Sequence, residues 1–320
     1  RSEGFDTDGK VLPRAAEIAS RISIVYLGLT VACILAYYMT GLGLFDAINH
    51  ALTTLSTGGF STSDASFGQF QGAPEIVATV FMILASLPFV RYVQLLAGTS
   101  RPLFRDSQIH VFLLALAIII LVVTAYRILI GGDILTPSLR EATFNLTSIM
   151  TGTGYASTDY QLWGAFPVTI FFLIGLIGGC AGSTCCSVKI FRYQLLVGAI
   201  ANQIRRIHSP HGVYQLKYEG RRVGEDVISS VMAFLTLFVV TVGVVAVLLS
   251  ATGLDFVTSL SGAATAVANV GPGLGPVIGP SGNFGELNEA AKWILAFAML
   301  AGRLELMVVF VLFTTRFWRT

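Results

Sequence analysis

Long apolar runs alternate with short ones and with glycine-rich breaks along this chain, and the alternation repeats. Ile22 to Met39 is an apolar run long enough to span a bilayer as a helix. Gly41 to Gly43 breaks it. Asp46 to Leu55 is too short to span and reads as a re-entrant helix that Asp46 could N-cap. The stretch TGGFSTSD, Thr57 to Asp64, follows as irregular backbone. Ile76 to Ala97 is apolar again, with Pro88 placed to kink it.

The same unit then recurs. Ile109 to Ile130 spans, and Ser138 to Met150 is a short helix opened by Ser138 and Glu141 in capping-box spacing. Thr151 to Asp159, TGTGYASTD, is the loop, and Phe166 starts a second spanning segment. Gly178 to Ser187, GGCAGSTCCS, interrupts that segment before apolar sequence resumes at Val188. In the third unit Val227 to Leu249 spans, Asp255 to Ala268 is short, Asn269 to Gly275 (NVGPGLG) is the loop, and Trp293 to Phe313 closes. The expected organisation is a segment 1–21, repeats over 22–100, 101–204 and 227–320, and a linker over 205–226.

Composition agrees with a membrane chain. Hydrophobic residues make up 54% and charged residues 12%, about half the charged share of a soluble domain. The net charge of +2 gives no reason to expect a nucleic-acid partner. The chain starts at Arg1 without a Met and reads as a piece of a longer protein. Lys and Arg crowd into 1–21, 101–105, 189–222 and 316–319 and are sparse beside the glycine loops. The positive-inside rule then puts both chain ends and the linkers in the cytoplasm and the loops outside.

The loops carry the candidate chemistry. Gly59 is followed by Asp64 and Gly154 by Asp159, five positions on in each case, and an acidic residue followed by Ala (Asp46-Ala47, Glu141-Ala142) stands thirteen positions before each Gly. Such similarity at long period marks an internal repeat. Irregular backbone survives at membrane depth only inside protein or along water. Gly reaches positive φ cheaply, so carbonyls of successive residues can face one axis and replace a cation's hydration shell. A short helix ending at the loop adds its partly negative C-terminus. An ordinary extracellular turn is the competing reading. Asp64 and Asp159 would gather cations at the outer mouth, or else cap the next segment. The third unit has no Asp at that place.

Arg303 lies in the apolar run from Trp293 to Phe313. A charge at that depth costs about 2.5–3.5 kcal/mol on insertion scales and faces a cavity or a partner. Glu305, two residues on, points to another face. Either Arg303 stands in the path as a barrier to cations, or it pairs with another helix. Cys180, Cys185 and Cys186 have no His near them in sequence and read as small packing residues. A thiol enzyme built on them is one alternative, and a secondary transporter of another cation or small solute is a second, since broken helices at the midplane suit both transport modes.

TGGFSTSD, TGYASTD, GGCAGST followed by Lys189, NVGPGLG and GRLE at Gly302 to Glu305 together resemble the Trk/Ktr/HKT potassium transporter superfamily, with the bacterial TrkH type as the nearest likeness. The resemblance covers nearly the whole chain. It implies an all-α membrane protein built from repeated units of helix, pore helix and helix around one pore, four in number, of which the first is missing here. It implies potassium uptake across the cell inner membrane, as a passive path or a symporter, with no enzymatic activity and no cofactor beyond the transported ion. The selectivity filter would be Thr57, Gly58 and Gly59, then Gly152, Thr153 and Gly154, then Asn269, Val270 and Gly271. The intramembrane gate would be Gly178, Gly179, Gly182, Ser183 and Thr184, with Arg303 facing the pore. Membrane lipid, a homodimer and a cytoplasmic nucleotide-binding regulator of the TrkA type are the implied partners. A glycine run usually continues the gate loop where this chain has Cys185, Cys186 and Ser187.

Overall fold

The computed structural model describes residues 15–320 except 210, 211, 213, 305, 313, 316 and 320. Three long helices dominate: α1 (Ala15–Met39), α6 (Ser107–Leu129) and α10 (Glu225–Ala251). By length and composition each can cross a membrane. Only 22–28% of their most apolar windows is buried inside the protein, so the outward faces are apolar too. Leu27, Val31 and Leu35 on α1 show this, an exposed ladder at four-residue spacing. A helix that is apolar all round belongs inside protein or lipid.

Each long helix is followed by a short one: α2 (Leu44–Leu55), α7 (Leu135–Met150) and α11 (Phe256–Ala268). At 1.5 Å per residue they reach roughly 18–24 Å, less than the hydrocarbon thickness of about 30 Å. Each packs on the long helix before it. Asp255 caps α11 by accepting the Thr258 N–H. The other two starts differ from the sequence expectation. The N-cap of α2 is Gly43, and Asp46 lies inside the first turn, where its carboxylate accepts the Thr62 hydroxyl at 2.7 Å. The helix α7 starts at Leu135, so Ser138 is buried in its first turns and Glu141 turns to Arg127 at 2.9 Å.

The closing helix of every unit is broken. The first is α3 (Ala73–Ala85) and α4 (Phe89–Leu96), bent by 88° at Ser86-Leu87-Pro88. Pro88 removes a donor and its neighbour cannot stay helical, so the expected kink is a full break. The second is α8 (Ala165–Gly175) and α9 (Ile190–His208), separated by the 178–187 loop. The third is α12 (Glu289–Arg303) and α13 (Leu306–Leu312). The single run expected from Trp293 to Phe313 therefore ends at Arg303. A Cβ on Gly302 would fall 1.9 Å from the Val267 carbonyl oxygen, so α12 meets the end of α11 where only glycine fits. Counting the bent pairs α3/α4 and α12/α13 as one span each gives up to five spans among the described residues.

A short α5 (Arg101–Arg105) links the first unit to the second. A two-residue hairpin, β1 (Lys217–Tyr218) with β2 (Arg221–Arg222), links the second to the third, pairing Lys217 with Arg222 and Tyr218 with Arg221. The helices cross the expected organisation in three places: α1 takes in residues 15–21, α9 runs past 205 to His208, and α10 starts at Glu225 inside the expected linker.

The units are cemented by side chains from two of them at a time. Phe67 of the first lies 4.9 Å from both Phe144 and Tyr155 of the second, ring centre to ring centre, and all three are fully buried. Arg140 meets the buried Glu75 at 3.0 Å. Gln161 receives the Gly275 N–H at 2.7 Å and donates to the Gly275 carbonyl at 3.3 Å, joining the second unit to the third.

Candidate ion pathway and gate

The three loops after α2, α7 and α11 share one backbone pattern. Thr57, Gly152 and Asn269 have φ of 50°, 72° and 55°, and Gly59, Gly154 and Gly271, each two residues on, have φ of 67°, 84° and 112°. A left-handed residue, one free residue and a second left-handed residue therefore follow each short helix. Thr57 is β-branched, so positive φ is costly there, of order 1–3 kcal/mol.

The loops also interlock in order. A Cβ on Gly59 would lie 1.9 Å from the Thr153 carbonyl oxygen, and one on Gly154 would lie 1.9 Å from the Val270 carbonyl oxygen. Each of these glycines thus abuts the residue before the glycine of the next unit. On Gly271 a Cβ would meet only Gly154 Cα, at 3.8 Å. The loop backbones are held from behind. Gly58 N–H donates to the Thr53 carbonyl (2.8 Å), Thr153 N–H to Ser148 (2.9 Å) and Val270 N–H to Thr265 (3.0 Å). The Gly271 N–H donates to the Thr265 hydroxyl at 2.9 Å. Buried Tyr155 donates to the His50 carbonyl and lies within hydrogen-bond reach of Thr53 and Thr54, so it braces α2 from the second loop.

The acidic residues have unequal surroundings. Asp159 accepts the Gln161 N–H at 3.0 Å and caps a single turn of 3-10 helix, Tyr160–Trp163. Asp64 is exposed. Asp255, outside the spans, lies beside the Thr258 hydroxyl and accepts the Thr258 N–H, and these lower its carboxyl from the ordinary carboxylate value.

Residues 178–187 pass beneath these loops. Pro88 frees the carbonyls of Ala85 and Ser86, and the segment supplies their donors. Cys180 N–H donates to Ser86, and the Thr184 N–H and hydroxyl both donate to Ala85 at 3.3 and 3.1 Å. In return the Phe89 N–H donates to the Gly182 carbonyl. The Ala181 N–H donates to buried Gln108 of α6 at 2.8 Å. Gly178 and Gly179 are buried, where added side chains would strike the Cys186 carbonyl and the Cys185 sulfur; Gly182 is exposed with φ of 74°. Ser183 donates to the Cys180 carbonyl. Arg303, at the end of α12, is exposed and contacts the Cys186 sulfur through its guanidinium. The loop partner of Arg303 is thus a thiol rather than the carbonyl its donors would suggest. Ser183, Cys186, Lys189, Arg192 and Arg303 share an open cavity of about 530 Å³. Glu305 lies outside the described residues.

All four cysteines are free thiols; Cys33, Cys180 and Cys185 are buried and Cys186 is partly so. Cys185 packs on the Ser86 hydroxyl at 3.0 Å. Sequence reasoning missed Ser86, Gln108 and Gln161 as parts of this assembly. Pro88 signals that Ala85 and Ser86 need new donors. No sequence feature marks Gln161.

The model of the TrkH family, described as cation transport protein, matches residues 2–319. The chain belongs to the TrkH family. It is 45% identical over 320 residues to the Trk system potassium uptake protein TrkI of Halomonas elongata, covering 99% of this chain and 65% of that protein. It is 33% identical over 320 residues to TrkH of Vibrio parahaemolyticus, covering 98% and 65%. The chain therefore spans about 65% of the length of the curated relatives it matches. The crystal structure of the potassium transporter TrkH from Vibrio parahaemolyticus superposes with a TM-score of 0.90 at 32% identity, covering 97% of this chain and 67% of that one. The all-α fold of the TrkH family is therefore the fold of this chain.

Proposed function

We propose that this chain forms the larger part of a potassium uptake pathway across the cell inner membrane. The observation that carries the reading is the shared left-handed backbone at Thr57/Gly59, Gly152/Gly154 and Asn269/Gly271, with each loop set against the next. Alternating handedness turns successive carbonyls toward one side, which a cation can use in place of water. Thr57 to Gly59, Gly152 to Gly154 and Asn269 to Gly271 act as the filter, and K⁺ is the transported ion. The relatives' names, Trk system potassium uptake proteins, support the choice of ion.

Residues 178–187 and Arg303 act as the gate. Their support is position: the segment lies between the ends of the broken helices, and a guanidinium rests on it. A positive charge there opposes cations while the path is closed. The repeats over 22–100, 101–204 and 227–320 are the structural units, with Asp64 and Asp159 at the outer mouth and both chain ends in the cytoplasm. The family resemblance adds a homodimer and a cytoplasmic nucleotide-binding regulator. Arg205, Arg206, Arg221 and Arg222 are all exposed near the linker and offer that regulator a basic surface.

The test is growth of a strain lacking K⁺ uptake on limiting K⁺, with the full-length gene supplied. Rescue is expected. Failure at normal membrane abundance contradicts the function.

A further inference from the structure

Within four consecutive residues of the gate segment, 184–187, Thr184, Cys186 and Ser187 touch the pore loop or pore-helix end of one unit each. Thr184 accepts the Thr57 hydroxyl through its carbonyl at 2.9 Å. The Cys186 amide lies beside Gly152, where an added Cβ would be 3.6 Å away. Ser187 gives both its N–H (3.0 Å) and its hydroxyl (3.2 Å) to the carbonyl of Ala268, the last residue of α11. Ala268 is one of the acceptors that a pore helix leaves unpaired at its C-terminus, and that end carries the partial negative charge. The Ser187 N–H satisfies it, and the Ser187 hydroxyl shares its single proton between this carbonyl and that of Gly175 at 2.8 Å. The Thr57 hydroxyl, just past the end of α2, likewise shares its single proton between the Thr184 carbonyl of the gate and the Ser56 carbonyl.

We infer that Thr57 and Ser187 are positioning residues for the gate: their hydroxyls latch segment 184–187 against the pore-helix ends, occupying with protein groups the polar positions that an entering cation uses. The inference rests on the gate reading given above. Each hydroxyl has a second acceptor at hand, Ser56 carbonyl at 2.7 Å for Thr57 and Gly175 carbonyl at 2.8 Å for Ser187. Release therefore leaves neither donor buried and unpaired, which keeps the cost of opening to the difference between two hydrogen bonds. The same release frees the Ala268 carbonyl toward the path. Ser187 has a φ of 61°, one that glycine adopts freely. The hydroxyl is what Ser adds over Gly at that position.

The test is K⁺ and Na⁺ flux per inserted molecule in vesicles carrying the full-length protein without a regulator. Ser187→Ala and Thr57→Val remove one hydroxyl each at little change in volume. Each is expected to raise basal K⁺ flux about two-fold, the population change that a fraction of one net hydrogen bond supports. Thr57→Ser, which keeps the hydroxyl, raises basal flux less than Thr57→Val does. Ser187→Ala keeps the wild-type K⁺/Na⁺ ratio, because Ser187 is not in the filter. Wild-type flux in Ser187→Ala and Thr57→Val, while Arg303→Ala raises flux, overturns the latch and leaves the gate. Wild-type flux in all three variants overturns the gate reading and the latch together. A Thr57→Val variant that inserts poorly leaves Ser187→Ala to decide.

Discussion

Arg303 is the residue whose place changes most between sequence and structure. In the sequence it sits inside one apolar run; in the fold it ends α12, exposed to the cavity and lying on Cys186. Sequence shows a misplaced charge but not the break that gives it an open setting. That break lies beside Gly302, which fits against Val267, a contact between α12 and α11 invisible along the chain. Arg303→Ala removes the guanidinium from the cavity and from the loop. Basal K⁺ flux per inserted molecule is expected to rise several-fold without the regulator, by the loss of the barrier. A normal or reduced value in well-folded protein contradicts the assignment. The glycines were more legible: Gly59, Gly154 and Gly271 all have positive φ, as the motif spacing implies. Thr57 and Asn269 share the left-handed pattern without being glycine, so their conformation is legible only through the repeat.

At the scale of elements, apolar run length located the long and short helices to within a few residues, apart from α1, which starts seven residues before Ile22, because burial in lipid demands unbroken apolar stretches. Starts were harder. Asp46 and Ser138 have cap chemistry but lie inside their helices, while Asp255 caps α11 as its position suggests. Local sequence offers several caps, and the packing of each short helix on its long neighbour selects among them. Asp255→Ala should cost about 1 kcal/mol of stability, the usual value for losing an N-cap. Thermal unfolding in detergent checks this as a lowered midpoint. The folded-state pKa of Asp255 is depressed, so its contribution is full above the unfolded carboxylate pKa and fades as pH falls through the folded one. The difference between Asp255→Ala and wild type should accordingly persist at neutral pH and shrink below pH 3.8. A difference that grows on acidification contradicts the capping role.

For the whole molecule, the recurring order of long helix, short helix and loop was legible and the long-range contacts were not. Pairings such as Arg140 with Glu75 and Gln161 with Gly275 join residues far apart in sequence, with no motif to announce them. The linker surface is a property of this scale as well. Exposed Arg205 and Arg206 end α9, and Arg221 and Arg222 form β2. Replacing all four with Gln should weaken capture of the regulator at least ten-fold, since clustered charge sets encounter and register. Membrane insertion should be intact. Equal recovery of the regulator in a pull-down removes this surface from the account.

The central claim is that the three interlocked loops select the ion. Gly154 offers the sharpest probe, because a methyl group there is directed at the Val270 carbonyl of the next loop, 1.9 Å away, and φ is 84°. Gly154→Ala must displace that carbonyl or its own. The decisive measurement is the K⁺-to-Na⁺ flux ratio of the full-length protein in vesicles, wild type against Gly154→Ala at matched insertion. The account predicts that the ratio falls at least ten-fold in Gly154→Ala, with Na⁺ flux persisting. An unchanged ratio in correctly inserted protein would contradict the filter.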